Sequence, residues 1–154
     1  MTGTIDLFQI SFIFVYEKAE LIRQKKHMEA NMKFYKCKVC GKIIAIIEDT
    51  GTPTVCCNEE MERLIPGTTD GAHEKHIPVV TKKDCMFHVQ VGSVEHPMTK
   101  EHYIQWIAIE TNRSCQLKKL KPQENPTATF TLSKDERFVT AYAYCNLHLL
   151  WKSM

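Results

Sequence analysis

The sequence predicts an all-β protein in which a small cysteine-rich unit is followed by a larger β-sandwich. The first half carries a Cys-x-x-Cys pair and then two adjacent cysteines, an arrangement typical of a metal-binding unit. The second half carries six short segments rich in β-branched and aromatic residues, each bounded by turn-forming residues. We therefore assign residues 1–31 to an N-terminal extension, 32–65 to the metal-binding unit and 66–154 to the sandwich.

The N-terminal extension has two interpretations. Residues 5–16 are largely apolar, and residues 17–26 are rich in charge. The apolar run is too short to cross a bilayer, and it lacks the basic start and small-residue cleavage site of a signal peptide. The extension is either a short amphipathic helix that packs on the domain or a partner, or an over-extended gene start with Met28 or Met32 as the native first residue.

The metal-binding unit is predicted to form around four cysteines. Cys37 and Cys40 have the spacing of a metal-binding knuckle, and residues 43–47 are a short β-branched run that predicts a strand. Cys56 and Cys57 are neighbours, so both reach one ion only if the backbone turns there. The apolar content is too low for an independent core, which favours a metal staple. A structural zinc site and a vicinal disulfide are the alternatives.

The second unit is predicted to be a sandwich of short strands, preceded by a linker at residues 61–73 that contains Pro-Gly and Asp-Gly breakers. The predicted strands span residues 77–81, 86–91, 103–110, 114–120, 127–132 and 138–144. The third of these segments alternates, which predicts one face with Tyr103, Gln105, Ile107 and Ile109 and another with Ile104, Trp106 and Ala108. Strands of this length and spacing are typical of a β-sandwich.

A second set of metal-binding side chains belongs to the sandwich. Cys145-x-x-His148 places a thiol and an imidazole three residues apart, and His76, His96 and His102 add three imidazoles upstream. This set is too rich in nitrogen for a structural zinc site, which has four ligands in a closed tetrahedron. Five ligands of mixed nitrogen and sulfur character favour a redox iron with one open coordination position.

The remaining histidines and cysteines lack such a context. We interpret His27, His73 and His88 as non-ligands, and Cys85 and Cys115 as free thiols that are buried or half-buried. Seven cysteines are an odd number and a poor disulfide framework, and no segment has the pattern of a secretory signal, so we expect a reducing compartment. A net charge of +2 without a basic stripe argues against nucleic-acid binding, and the apolar runs are too short for a membrane span.

The order of these motifs resembles the desulfoferrodoxin family of two-iron superoxide reductases, from about residue 32 to residue 152. The motifs that carry the resemblance are Cys37-x-x-Cys40-Gly41 with Cys56-Cys57, Asp70-Gly71-Ala72-x-Glu74-Lys75-His76-x-Pro78, Val91-Gly92-Ser93-x-x-His96-Pro97-Met98, His102-x-Ile104-x-Trp106-Ile107 and Tyr144-Cys145-Asn146-Leu147-His148. The resemblance implies a desulforedoxin-like domain followed by an immunoglobulin-like sandwich.

Two iron centres and an activity are implied by the same resemblance. An Fe(Cys)4 centre would be held by Cys37, Cys40, Cys56 and Cys57. An Fe(His)4Cys centre would have His76, His96, His102 and His148 as equatorial ligands and Cys145 as the axial ligand. The implied reaction is the one-electron reduction of superoxide to hydrogen peroxide at ferrous iron. The resemblance further implies a homodimer in the cytoplasm that rubredoxin or a similar donor reduces.

Two residues beside His76 would be catalytic by this resemblance. Lys75 would attract superoxide and hydrogen-bond the product, and Glu74 would coordinate the oxidised iron after the product leaves. Without the adjoining histidine, the pair would be interpreted as a solvated loop. The chain departs from the family at Asn58 and Glu60, where Gly and Pro are frequent, and at the two leucines after His148, where smaller or polar residues are frequent.

Two other classes of function stay open at this point. One is a pure electron carrier with a closed, six-coordinate iron, and the other is a zinc-stapled interaction module. The role of the Fe(Cys)4 centre is open as well, because the same four ligands serve an electron relay and a structural staple.

Overall fold

The computed structural model describes Lys18 and residues 32–154, and the predicted N-terminal extension therefore lies almost wholly outside the described residues. Residues 32–154 form strands β1 Lys33–Lys36, β2 Ile43–Ile46, β3 Val55–Cys56, β4 Glu59–Glu60 and β5 Glu62–Leu64, helix α1 His73–His76, and strands β6 Pro78–Lys83, β7 Met86–Val91, β8 Ile104–Thr111, β9 Cys115–Lys119, β10 Thr127–Thr131, β11 Phe138–Cys145 and β12 Leu149–Lys152. In this described part, no helix has the length and apolar character needed to cross a membrane.

Seven of these strands form the sandwich. One sheet has the order β10-β7-β6 and the other β12-β11-β8-β9, with antiparallel neighbours throughout. Alternate residues of β7 point inward, so Phe87, Val89 and Val91 are buried while the residues between them are exposed. They meet Ile107 and Ala143 of the opposite sheet in one apolar core. This seven-stranded sandwich behind a small cysteine-rich unit confirms the predicted all-β fold class.

The six predicted strands of the sandwich coincide with β6 to β11 to within two residues at each end. The elements that the sequence did not predict are short. They are β1, β12, the hairpin of β3 and β4, helix α1, and β5, which lies inside the predicted linker. A strand of three or four residues carries too little periodicity to be recognised, and β5 exists because it pairs with β1, as in the register of Phe34 with Leu64.

Strand β8 departs from its predicted alternation at one residue. Opposite it on β11, Tyr144 pairs with Trp106 and Cys145 pairs with Ile104, so Gln105 is an extra residue in a β-bulge. The bulge turns Ile104 into the core between the two sheets, while Trp106 stays on the outer face. The predicted placement of these two side chains on one face is therefore wrong. The same bulge brings Ile104 against the last residue of β11.

The small unit has no core of its own and packs on the outer face of β8 and β11. Its strands β1, β2 and β5 form a three-stranded sheet in the order β2-β1-β5. Phe34 and Leu64 are buried in one cluster with Trp106 and Tyr142. The ring of Phe34 lies 5.1 Å from that of Trp106 and 5.2 Å from that of Tyr142, between centroids. The aromatic residues of the outer face therefore bury the apolar residues that the small unit cannot cover alone.

Candidate metal centres

Four cysteines of the small unit converge at one point. The Sγ atoms of Cys37, Cys40, Cys56 and Cys57 all lie within 4.8 Å of one another. Cys40 and Cys56 approach to 3.7 Å, and Cys56 and Cys57 to 3.9 Å, between their sulfurs. These separations are far longer than a disulfide bond of about 2.05 Å, and all four are free thiols. The geometry therefore excludes the vicinal disulfide and leaves a four-sulfur group able to surround one metal ion.

A tight turn explains how adjacent cysteines reach the same ion. Strands β3 and β4 are joined by Cys57 and Asn58, which have φ angles of 53° and 61°. Two central residues with positive φ are the requirement of a type I′ hairpin turn. Asn tolerates the left-handed region better than most residues, so Asn58 suits the turn where the family often has Gly. The turn reverses the chain and brings both sulfurs to the same side.

The proximity of the four sulfurs opposes their simultaneous ionisation. The backbone N–H of Cys40, which donates to the sulfur of Cys37, lowers the pKa of Cys37 to about 7. Hydrogen bonding with the sulfur of Cys40, followed by that with other sulfurs of the group, raises the pKa of Cys57 to about 12 and also raises the pKa of Cys56. Four thiolates in such proximity repel one another unless a metal ion neutralises them.

The second candidate centre lies at one end of the sandwich. Ligand atoms of His76, His96, His102, Cys145 and His148 all lie within 4.8 Å of one another. They come from α1, from the connection between β7 and β8, from the end of β11 and from the turn into β12. The first two histidines and the cysteine are buried, and the other two histidines are half-buried. The structure thus brings all five predicted side chains into one group.

Hydrogen bonds determine which nitrogen each ring presents to the centre of the group. His76 and His96 donate their Nδ1–H groups to the carbonyl oxygens of Ala72 and Pro97, at 2.7 and 2.6 Å. Their Nε2 atoms therefore carry free lone pairs. In the described part of the chain, the buried Nε2 atoms of His96 and His102 have no hydrogen-bond partner. Buried polar atoms without partners are rare, and an ion at their meeting point would satisfy them.

His148 presents its other nitrogen. Its Nδ1 lies 3.0 Å from Nε2 of His76 and 3.7 Å from Sγ of Cys145. A histidine three residues after a cysteine sits in the same tight turn, so its nearer ring nitrogen is the one that reaches inward. The donor set is consequently three Nε2 atoms, one Nδ1 atom and one sulfur. This set fits a transition metal better than a hard cation such as Mg²⁺ or Ca²⁺.

Burial favours the neutral form of three of these histidines, which is the form that binds a metal. It lowers the pKa of His96 to about 4 and also lowers the pKa of His76 and of His102. Burial raises the pKa of Cys145, although the backbone N–H groups of His148 and Leu147 act in the opposite direction. The thiol is thus ionised most readily when a cation is bound.

Helix α1 places two charged residues beside this centre. Glu74 is exposed and Lys75 is half-buried. The positive charge of Lys75 contributes, after burial and His148, to the lowered pKa of His102. The segment after β7 holds the helix in place, since the N–H of Val94 donates to the carbonyl of Glu74 at 2.9 Å. The helix backbone is therefore fixed against a second loop of the site.

Gly92 permits this close approach, and its replacement provides a test. Gly92 has a φ of 82°, and a Cβ there would lie 2.7 Å from the carbonyl oxygen of Lys75 and 2.9 Å from that of Glu74. We expect Gly92→Ala to lower the free energy of unfolding by roughly 3 kcal/mol, from backbone strain and the clash together. Gly51→Ala is the matched control, because Gly51 has a φ of 78° with open space around it. That variant should lose only about 1 kcal/mol. Equal losses in urea denaturation would show that the close approach is unimportant.

Sequence reasoning missed three residues that support the ligands. The indole of Trp151 stacks on the ring of His76 at 4.9 Å between centroids, and its Nε1–H donates to the carbonyl of His148 at 2.8 Å. Gly71 lies against both histidines and the indole, and a Cβ there would be 3.0 Å from the Trp151 ring. Leu149 has a φ of 55°, an uncommon conformation for leucine directly after a candidate ligand. The sequence carried a hint for Gly71, as part of a family motif, and for Leu149, as a departure from the family, but none for Trp151.

The structure also shows the surroundings of the histidines and cysteines that were not predicted to bind metal. His73 packs edge-on against Trp151, and His88 bonds to the hydroxyl of Thr129, so neither belongs to the five-residue group. His27 lies outside the described residues. Cys85 and Cys115 are free but exposed, and the expectation that they are buried or half-buried is wrong. They occupy the β6–β7 turn and the start of the edge strand β9, where neither sheet covers them.

Comparisons with known proteins agree on one family. The profile described as Desulfoferrodoxin matches residues 68–154, and the profile described as Desulfoferrodoxin, N-terminal domain, matches residues 29–64. The chain is 43% identical over 122 residues to a desulfoferrodoxin homolog of Archaeoglobus fulgidus, covering 79% of this chain and 96% of that one. It is 42% identical over 126 residues to the desulfoferrodoxin of Nitratidesulfovibrio vulgaris, covering 82% of this chain and 98% of that one.

A solved structure gives the same result for the fold. The crystal structure of the superoxide reductase from Treponema pallidum superposes with a TM-score of 0.68 and 35% sequence identity. The match covers 80% of this chain and 98% of the other. With two family profiles, relatives above 40% identity and a shared fold in agreement, the chain belongs to the desulfoferrodoxin family.

Proposed function

We propose that the protein is a superoxide reductase, an oxidoreductase that acts on superoxide as electron acceptor. One observation carries this proposal. Four imidazole nitrogens and one thiol sulfur converge within 4.8 Å at the end of the sandwich, with the positive charge of Lys75 beside them. The family carries two iron centres, and the two groups of side chains described above fit them in the number and chemistry of their donors. A five-donor site leaves one octahedral position for a small ligand.

The proposed ligand roles follow the donor sets. We assign Cys37, Cys40, Cys56 and Cys57 to the Fe(Cys)4 centre, and we propose that His76, His96, His102, His148 and Cys145 would hold the second iron. Bound ferrous iron would supply one electron and the open position for superoxide. The electron-donating character of the thiolate supports the assignment of Cys145 to this centre. With the electron and two protons, superoxide becomes hydrogen peroxide, and dioxygen is not released.

The two charged residues of helix α1 are assigned to different steps, one to the approach of superoxide and the other to the oxidised metal. Lys75 is half-buried and directly precedes the candidate ligand His76. The electric field of its positive charge should therefore draw the superoxide anion toward the open position of the second centre. Glu74 is exposed one residue earlier, and we assign it the binding of the oxidised metal. We further propose a cytoplasmic homodimer that rubredoxin or a similar electron donor reduces.

Metal analysis combined with an optical spectrum before and after superoxide addition tests the function. We expect two irons per chain, oxidation of the His4Cys centre by superoxide, and hydrogen peroxide without dioxygen. A colourless protein containing zinc would contradict the proposal and favour an interaction module. A coloured iron protein whose spectrum ignores azide and cyanide would contradict it too, because the closed iron of an electron carrier has no free position.

Replacing each of the two charged residues of α1 with alanine separates their roles. Superoxide arrives at a near-diffusional rate, so a single positive charge at the mouth should act on association. We expect Lys75→Ala to slow the bimolecular step about tenfold at low salt, with a smaller loss at high salt because ions screen the field. Glu74→Ala should leave this step nearly unchanged and alter the spectrum of the oxidised resting state. Pulse radiolysis of both variants at two ionic strengths measures the difference.

The comparison within helix α1 is its own control, since the two variants remove opposite charges from neighbouring residues. If Glu74→Ala slows superoxide binding as much as Lys75→Ala does, the proposed division of roles is incorrect.

A further inference from the structure

His102 is the candidate ligand with the least support for its ring. His76 and His96 each donate a ring N–H to a main-chain carbonyl. In the described part of the chain, the buried Nε2 of His102 has no partner, and no hydrogen bond to a second group orients its ring. Its position must therefore be set through its backbone, which lies in the long connection between β7 and β8.

The side chain of Asn146 holds that backbone on both sides of His102. Its Oδ1 accepts the N–H of Tyr103 at 2.9 Å, and its Nδ2–H donates to the carbonyl oxygen of Glu101 at 2.8 Å. The backbone N–H of Asn146 adds a bond to the carbonyl of Tyr103 at 3.2 Å. One planar amide thus satisfies a donor and an acceptor of the residues that flank His102. Asn146 itself follows Cys145, the last residue of β11.

A pair of hydrogen bonds between Thr99 and His102, here called the inner clip, lies within the same loop. The hydroxyl of Thr99 accepts the N–H of His102 at 3.1 Å, and the N–H of Thr99 donates to the carbonyl of His102 at 3.0 Å. This clip closes the loop on itself but does not connect it to the sandwich. Among the hydrogen bonds of the described residues, those of Asn146 connect the loop to the strand that carries Cys145.

We propose that Asn146 is a positioning residue that holds the His102 imidazole at a fixed distance from Cys145. The last four residues of β11, Tyr142 to Cys145, pair with β12 on one side and β8 on the other, so this end of the strand is a firm reference point. The amide of Asn146 transfers that rigidity to the residues on either side of His102, whereas the N–H of Gln123 holds the loop four residues earlier, at the carbonyl of Met98, at 2.7 Å. The inference rests on the proposed ligand set, in which both His102 and Cys145 bind the metal.

The test compares metal release from two asparagine variants of the full, iron-loaded chain. We expect Asn146→Ala to release metal from the His4Cys centre to a chelator roughly 10- to 100-fold faster than the unmodified protein. The thiolate-to-metal absorption should shift as well, because His102 moves relative to the sulfur. The matched control is Asn112→Ala, since Oδ1 of Asn112 accepts the N–H of Arg137 at 2.7 Å away from both groups. It should change neither the rate nor the spectrum.

Combining Asn146→Ala with a variant of Thr99 distinguishes positioning of His102 from a general loss of stability. Thr99→Val removes the hydroxyl that holds His102 and should accelerate release by a smaller factor. If both residues act on one loop, the double variant should depart from the product of the two separate factors. Release from Asn146→Ala at the unmodified rate, or a strictly multiplicative double variant, would overturn the inference. Should Asn146→Ala not fold, Asn146→Asp decides, because it removes the donor to the carbonyl of Glu101 and keeps the acceptor for the N–H of Tyr103; an unchanged release rate there overturns the inference. Absence of metal from the unmodified five-residue group would overturn the proposed function instead.

Discussion

Replacing Cys145 with Ser is expected to abolish superoxide reduction. Its sulfur is fully buried and is the single sulfur in the five-residue group. A serine hydroxyl stays protonated where a thiol ionises, so the variant cannot supply the soft, negatively charged donor that the metal centre requires. We expect loss of the thiolate absorption and at least a hundredfold loss of activity, on the order of the effect of removing an essential electrostatic group. Pulse radiolysis of metal-loaded protein measures the rate, and circular dichroism verifies the fold.

Two other cysteines provide matched controls for this result. Cys85 and Cys115 are exposed and belong to neither sulfur-containing group. Cys85→Ser and Cys115→Ser should therefore keep both the metal content and the activity of the unmodified protein. An active Cys145→Ser variant, or an inactive Cys115→Ser variant, would show that the ligand assignment is wrong.

Removing one cysteine of the small unit should remove one iron and spare most of the activity. Cys37→Ser takes away the buried sulfur of the four-sulfur group, and Cys56→Ser takes away a half-buried one. The elements that carry the five-residue group are α1, the β7–β8 connection, the end of β11 and the turn into β12, and none of them contains these cysteines. We expect the iron content to fall from two to one per chain, with the spectrum of the His4Cys centre retained.

The loss of both irons is the alternative outcome of this experiment, because the two units share an apolar cluster. Phe34 of the small unit packs on Trp106 of β8 and on Tyr142 of β11, and β11 also carries Cys145 of the second centre. If the unstapled unit unfolds and disturbs that face, both irons would be lost. Loss of both irons from Cys37→Ser and from Cys56→Ser would mean that the centres are not independent. Using two variants distinguishes this outcome from misfolding caused by a single buried substitution.

Local pattern alone was sufficient for much of the fold and for the choice of candidate ligands. Strand β7 shows why, since its buried and exposed residues alternate as the sequence does, and its predicted bounds match those observed. The spacing of Cys37 with Cys40, and of Cys145 with His148, is equally local. A turn of three or four residues brings such pairs together whatever the rest of the chain does. Residue type then restricts the chemistry, because imidazole and thiolate select transition metals.

The structure was needed wherever residues far apart in the chain meet. His76 and His148 are separated by 72 positions, and their facing nitrogens at 3.0 Å decide which ring atom each can offer. The bulge at Gln105 arises from the pairing of β8 with β11, so the local alternation wrongly placed Ile104.

The sequence by itself therefore determined the β class, the donor types and their local pairs. The tertiary structure alone decided the shared core of the two units, the ring nitrogens and the support of His102 by Asn146. The physical reason is that periodicity and spacing reflect contacts within a few residues along the chain, whereas these features depend on strands and loops that only packing brings together.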